Sequence, residues 1–278
     1  MTNLQQPRRS ALYMPASNER AIAKSRSLDC DVVILDLEDA VAPDAKAGAR
    51  ANAVQAVAEG GFGSREVVVR VNAADTPYWA EDVAALAGSS GAVLIPKVGH
   101  PDQIAAAAAV LPGRPIWAMI ETCEGVLNLS AIAASAKTLP LAVLVIGAND
   151  LAKEMGCRLG ASRRPLWGAL GTAVIAARAH GLGILDAVYN DIADEAGFEA
   201  ECREGADFGF DGKTLIHPKQ IEICNRAFSP SPDEIAWARL VVETFDRPEN
   251  ASVNALRIEG RMVERLHLEP AKRALSRA

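Results

Sequence analysis

The chain has 278 residues, 50% of them hydrophobic and 23% charged, with a net charge of −6 at pH 7 and a pI near 5.4. That is the balance of a globular protein with a large core, and its acidity argues against nucleic acid or an anionic membrane as the main partner. No apolar run approaches the ~18 residues of a membrane span, and the N-terminal MTNLQQPRRS lacks the hydrophobic stretch of a signal peptide. Cys30, Cys123, Cys157, Cys202 and Cys224 are scattered without a C-x-x-C pair, as expected of reduced thiols in a cytoplasmic protein.

Ser10–Met14 is a short apolar strand closed by Pro15, and Asn18 is placed to cap a helix carrying Ile22, Ala23 and Leu28. Val32–Leu35 is the next strand and runs into Asp36-Leu37-Glu38-Asp39. Ala45–Ala58 has helical composition and stops at Gly60-Gly61. Glu66–Val71 is β-branched, carries Arg70 and precedes Asn72. A helix over Ala80–Ala87 leads to the strand Ala92–Ile95, which ends in Pro96-Lys97, and the alanine-rich Gln103–Leu111 is helical up to Pro112-Gly113. Two apolar runs of one form follow, Ile116–Thr122 and Leu144–Leu151, with the helical Val126–Ser135 between them. Each delivers an acid at its tip, Glu121 and Asp150. Leu166–His180 is a long helix closed by Gly181; then come the strand Gly183–Asp186, a helix around Asp194–Glu204, a last short strand Phe208–Gly212 and a helix over Pro218–Ala227.

Roughly eight strand–helix alternations in about 225 residues is the rhythm of a (β/α)8 TIM barrel. A doubly wound sheet would carry a G-x-G-x-x-G turn after its first strand or a P-loop, and the chain has neither. The barrel takes residues 1–228. Phe228-Ser229-Pro230-Ser231-Pro232 reads as a linker into a C-terminal helical extension, 229–278. It comprises an amphipathic helix Asp233–Phe245, a loop Arg247–Asn250 and a final helix over Val263–Ser276 interrupted by Pro270. An addition of this kind is expected to pack on a neighbouring subunit or to cover the barrel mouth.

Glu121 and Asp150 end consecutive parallel strands, the end of a barrel where chemistry sits. Two hard oxygen donors without histidine suit Mg²⁺, which keeps several waters and binds substrate oxygens. The plainer reading has Asp150 capping a helix and Glu121 pairing with a lysine. Asp36, Glu38 and Asp39 repel one another unless a cation offsets them. Arg70, at the rim of the core, needs an anionic partner, either a protein carboxylate or the substrate. Lys213 and His217 follow the last expected strand, where barrels often hold phosphate, but without a glycine-rich turn they read as structural. Cys123 reads as a small hydrophobe.

The segments Arg9-Ser10-Ala11-Leu12-Tyr13-Met14-Pro15, Ile34–Val41, Val69-Arg70-Val71-Asn72, Ile120-Glu121-Thr122, Asn149-Asp150-Leu151 and Gly212–Pro218 occur in this order and at familiar spacing. Together, over nearly the whole chain, they resemble the citrate lyase β-subunit/malyl-CoA lyase group of the HpcH/HpaI aldolase superfamily. The resemblance implies a TIM barrel assembled as a trimer or hexamer. It implies Mg²⁺ held by Glu121 and Asp150, with Glu121 also facing the substrate, Glu38 and Asp39 holding metal-bound water, and Arg70 gripping the substrate. The implied substrate is a 3-hydroxyacyl-CoA such as malyl-CoA, methylmalyl-CoA or citryl-CoA, with an acyl-carrier-protein thioester as the other carrier.

Most lyases of the group have Met-Val/Ile-Asp in the C-terminal segment, and that aspartate reaches a neighbour's site as the acid/base group. Here Gly260-Arg261-Met262-Val263-Glu264-Arg265-Leu266-His267 puts Glu264 at the position. This glutamate, with Asn149–Glu154 and Ala176–Leu182, looks most like the (3S)-malyl-CoA thioesterase branch. The expected activity is cleavage of a 3-hydroxyacyl-CoA to a 2-oxoacid and an acyl-CoA, with thioester hydrolysis as the alternative. A non-catalytic subunit of a larger complex is the alternative of another class, and joint retention of Glu121, Asp150 and Arg70 counts against it.

Overall fold

The computed structural model describes residues 7–160 and 162–276; the N-terminal MTNLQQ, part of the segment read as lacking a signal peptide, lies outside them. The chain divides into two compact units, Met1–Arg226 and Ala227–Ala278. In order, the first unit runs β1 (Ser10–Pro15), α1 (Glu19–Ser25), β2 (Val32–Asp36), α2 (Lys46–Glu59), β3 (Glu66–Arg70), α3 (Trp79–Leu86), β4 (Ala92–Ile95), α4 (Pro101–Val110), β5 (Ile116–Ile120), α5 (Cys123–Leu127) and α6 (Leu129–Ala134). It continues through β6 (Leu141–Ile146), α7 (Ala148–Met155), α8 (Trp167–Ala179), β7 (Gly183–Asp186), α9 (Glu195–Phe208), β8 (Gly212–Leu215) and α10 (Gln220–Ala227). The second unit adds α11 (Pro232–Phe245), β9 (Ala255–Ile258), β10 (Arg261–Glu264) and α12 (Leu268–Ser276).

β1 to β8 pair in sequence order, all parallel, and β8 returns to β1, so the sheet closes into the expected (β/α)8 barrel. Alternate strand residues face inward. Ala11, Ile34, Val68, Leu94, Trp117, Val145 and Leu185 form one buried apolar cluster, a plug of the kind that fills such barrels. Two places further along their strands stand Tyr13, Asp36, Arg70 and Met119, which line a cavity at the C-terminal mouth. Helix starts follow local chemistry: Asn18 accepts from the Ala21 N–H, and Thr122 from that of Gly125. Among the described residues no helix is long and apolar enough to cross a membrane, and all five cysteines are free.

Three expected elements are corrected. Phe208–Gly212 is not a strand: Phe208 ends α9, and the strand begins at Gly212. Gly209 turns left-handed at φ 95°, with Phe210 N–H bonded to Gly205 O and Gly209 N–H to Ala206 O, a helix stop that overrides the strand preference of the phenylalanines. Lys213 therefore lies inside the last strand, not after it. The stretch Val126–Ser135 is two helices, because Asn128, at φ −96° and ψ 6°, breaks the path and gives its side-chain N–H to Gly99 O. In the second unit, the start of the expected final helix is β10 of an antiparallel hairpin. Its two-residue turn is Glu259-Gly260, with φ 47° and 80°. Such turns need positive φ at both positions and usually announce themselves by Asn-Gly or Asp-Gly. Pro270 sits in the first turn of α12, where no helical N–H is lost. Ile258 and Val263 of the hairpin pack with Val241, Phe245 and Leu268 as a separate apolar core.

Candidate active site

Asp36 and Arg70 close adjacent strands and are partners in the β2–β3 register. Arg70 Nε and Nη2 each donate to Asp36 at 2.7 Å, a two-point fork. Asp36 also accepts the backbone N–H groups of Glu38 and Ala40, which wraps the acidic loop around it. Lys46 fixes the loop from below, donating to Leu37 O and Glu38 O at 2.7 Å. Arg70 Nη1 lies 2.9 Å from Glu38 Oε2 and 3.7 Å from Asp39, which is 65% exposed. The Nη1 contact is off the line of a hydrogen bond, so both Glu38 oxygens are buried without a bonded partner. Burial, with help from Asp39 and Asp36 and against Arg70, pushes the Glu38 carboxyl up to about 7.

Glu121 follows β5 directly and is buried. Its Oε1 accepts the Lys97 backbone N–H at 2.8 Å. Asp150 arrives from the next strand in the first turn of α7, and both acids line the same cavity of 310 Å³ with Tyr13, Arg70, Asn149 and Thr214. Burial first, then Glu38 and Asp150, push the Glu121 carboxyl up to about 8. Gly147 makes room for it: a Cβ there would stand 2.6 Å from Glu121 Cβ and closer still to Oε2.

The structure thus brings Glu38, Asp39, Arg70, Glu121 and Asp150 together. Glu264 belongs to the second unit, exposed at the end of β10 with its N–H on His267 Nδ1. Lys213 is fully buried against Asp186 at 3.0 Å and Glu201 at 2.6 Å, and Arg163 completes that network through Asp186 and Glu204, so Lys213 is structural. The His217 ring accepts the Lys219 N–H at Nδ1, and its backbone N–H donates to Gln220 Oε1, a local turn at the start of the following helix. Cys123 opens α5, half-buried.

Sequence reasoning missed four contributors. Lys97 adopts a left-handed backbone, φ 53° without being glycine, a strain that marks functional sites. Its ammonium is 3.6 Å from Glu38, and although burial opposes its charge, Glu38, Asp150 and Glu121 hold its pKa above the ordinary lysine value. Its only sequence signal was its place after a strand. Tyr13 lies under Arg70, ring centroid 4.7 Å from the guanidinium carbon. Asn149 and Asn190 bond each other's amides across the mouth.

Five carboxylates (Asp36, Glu38, Asp39, Glu121 and Asp150) crowd two cations, Arg70 and Lys97, and the repulsion from Glu38 and Asp150 adds to burial in raising the Glu121 carboxyl. A hard divalent cation fits that donor set. Among the described residues no cluster of three or more acidic, histidine or cysteine side chains is arranged to hold a metal. A cation at Glu121 and Asp150 would therefore complete its shell with water and substrate, the habit of Mg²⁺.

Comparison with known proteins follows the same lines. The model of the HpcH/HpaI aldolase/citrate lyase family matches residues 9–218. The (3S)-malyl-CoA thioesterase of Cereibacter sphaeroides is 45% identical over 279 residues, covering 100% of this chain and 97% of the relative. The L-malyl-CoA/beta-methylmalyl-CoA lyase of the same organism is 32% identical over 297 residues, 96% of this chain and 93% of the relative. Among solved structures, CitE from Mycobacterium tuberculosis in complex with magnesium, acetoacetate and coenzyme A superposes with a TM-score of 0.82 at 34% identity, covering 99% of both chains.

Proposed function

The chain belongs to the HpcH/HpaI aldolase/citrate lyase family, and on that footing we propose that it is a Mg²⁺-dependent enzyme acting on a malyl-type 3-hydroxyacyl thioester of coenzyme A. The observation that carries this reading is the convergence of Glu121 and Asp150 on one cavity beside the Arg70–Asp36 fork. Glu121 and Asp150 would hold the cation, which when bound supplies a Lewis acid for hydroxyl and carboxylate oxygens.

The chain's own residues do the rest. The Nη1 edge of Arg70 takes the substrate carboxylate by displacing Glu38, whose pKa, raised chiefly by burial, eases the loss of its charge. Glu38 and Asp39 order water at the rim. Asp36 keeps Arg70 rigid, so no reorganisation accompanies the charge that develops in the reaction. Glu264 of a neighbouring copy serves as the acid/base group. Supporting this, Met262, 76% exposed, and Glu264 project from the same face of β10, and Leu266 just beyond is 65% exposed, an apolar surface suited to cover in a homotrimer or hexamer. Coenzyme A chemistry and five free thiols support a cytoplasmic setting.

Two outcomes are open to the same bound ester. The sequence motifs put carbon–carbon cleavage first, and the 45% identity to a thioesterase against 32% to a lyase favours hydrolysis. Incubation with malyl-CoA and Mg²⁺, following glyoxylate and free CoA separately, decides between them: glyoxylate marks the lyase, and free CoA without glyoxylate marks the thioesterase. Neither product from folded, Mg²⁺-supplied protein would instead mark a non-catalytic barrel and defeat the proposal.

A further inference from the structure

The Tyr13 hydroxyl is buried and has no hydrogen-bond partner. Its side chain points into the barrel on top of the apolar plug, lines the cavity, and carries Arg70 on its ring face. Arg70, Asp36, Glu121 and Glu38 all act on the hydroxyl electrostatically. For packing and for the cation–π contact a phenylalanine would serve as well. A buried hydroxyl left unpaired destabilises a fold, and native structures keep few of them. This one belongs to a side chain in the wall of the cavity that Arg70, Glu121 and Asp150 also line.

We propose that Tyr13 is a catalytic residue whose O–H donates to the thioester carbonyl oxygen of the bound substrate. This rests on the malyl-CoA reading above. The cation at Glu121 and Asp150 and the Nη1 edge of Arg70 account for the hydroxyl and carboxylate oxygens of a malyl group, and the thioester carbonyl is the oxygen those groups leave unassigned. It is also where charge gathers in either reaction. In hydrolysis, water forms a C–O bond to the carbonyl carbon while the C=O π pair moves onto that oxygen. The pair returns as the C–S bond breaks, and the thiolate takes the proton that the water gave up. In cleavage, the hydroxyl proton leaves to a base, its oxygen forms the C=O of the 2-oxoacid, and the C–C bond electrons pass into the thioester, making its oxygen an enolate until a proton added at the carbon gives the acyl-CoA. A neutral phenol that donates only when this charge appears stabilises the transition state of both.

The test is Tyr13→Phe, which keeps the ring on Arg70 and removes only the hydroxyl. kcat/KM for malyl-CoA should fall about 10²-fold, the loss typical of one such donor, while Tm stays level or rises because an unpaired buried group is gone. Two non-hydrolysable analogues complete it, titrated calorimetrically with Mg²⁺ present. A ketone with methylene in place of sulfur should bind the variant about tenfold more weakly, in the range of one lost hydrogen bond, and a thioether lacking the carbonyl should bind both proteins alike. Kinetics within twofold of wild type, equal loss for both analogues, or a variant that unfolds or melts well below wild type would each overturn the role of Tyr13. Failure of the wild type to turn over malyl-CoA would instead sink the substrate reading, and this proposal with it.

Discussion

Gly147→Ala isolates one requirement of the site. Gly147 has φ −108°, a value open to any residue, so alanine brings no backbone strain. What it meets is Glu121: the new Cβ would stand 2.6 Å from Glu121 Cβ. Carbon atoms settle at about 3.5 Å or more, so the two must separate by about 1 Å. No rotation of the Glu121 side chain moves its Cβ, and Gly147 N–H is bonded to Ile120 O at 3.1 Å, which holds the two strand ends together. The displacement therefore falls on Glu121 and its carboxylate. Overpacking of this size costs about 1–3 kcal/mol, a fall in Tm of roughly 2–12 °C for a unit of this size. Misplacement of a reacting group by 1 Å costs about 10²-fold in rate. Steady-state kinetics on malyl-CoA across a Mg²⁺ titration, alongside a thermal melt, should show a folded protein with kcat/KM down by about that factor and a higher Mg²⁺ requirement. Wild-type kinetics with an unchanged Mg²⁺ requirement would refute the claim that Glu121 must occupy this position.

Arg70→Lys should lower kcat/KM by about 10²-fold although the charge survives, because lysine lacks the fork that Asp36 engages and the edge left for substrate; near wild-type kinetics would make Arg70 purely structural. Lys213→Met leaves Asp186 buried beside one cation instead of two and should destabilise the barrel by about 3–5 kcal/mol, read from denaturant melts. Burial opposes the charge on Asp186, but Lys213 and Arg163 hold its pKa below the ordinary value. Its stabilisation is thus present above its unfolded pKa of about 4 and lost as pH falls through the folded value. A stability–pH curve should drop there, and the step should shrink in Lys213→Met. Glu264→Asp should raise the ratio of glyoxylate to free CoA, since the carboxylate moves by about one methylene and such shifts redirect chemistry; a fixed ratio with both products falling together would make Glu264 an equivalent stand-in.

The barrel was legible because its strands are apolar runs punctuated by residues with local mechanisms. Asn18 caps α1, and Gly181 turns left-handed just past α8, as their positions suggested. Much of the site was legible for a related reason: in a parallel barrel, strand ends converge, so acids at the tips of consecutive strands had to meet. Closed register adds what linear reading could not, since Asp36 and Arg70 are 34 residues apart yet adjacent in the sheet. The failures share a cause, a backbone conformation carried by an untypical residue. Glu259 occupies a turn position usually held by asparagine or aspartate, which hid the hairpin. Lys97 adopts a glycine-like φ, which hid its approach to Glu121 and Glu38. The Phe208–Gly212 segment went wrong the other way, its aromatic residues outweighing a glycine that ends a helix.

The claim that Glu121 and Asp150 jointly hold one divalent cation is tested most directly by titrating the protein with Mn²⁺, followed by electron paramagnetic resonance. The wild type should bind one Mn²⁺ per chain, displaced by Mg²⁺. Glu121→Ala and Asp150→Ala should each weaken that binding by about 10²-fold or more, at least the effect of losing an outer-shell partner. Either variant binding Mn²⁺ as tightly as the wild type would contradict the account.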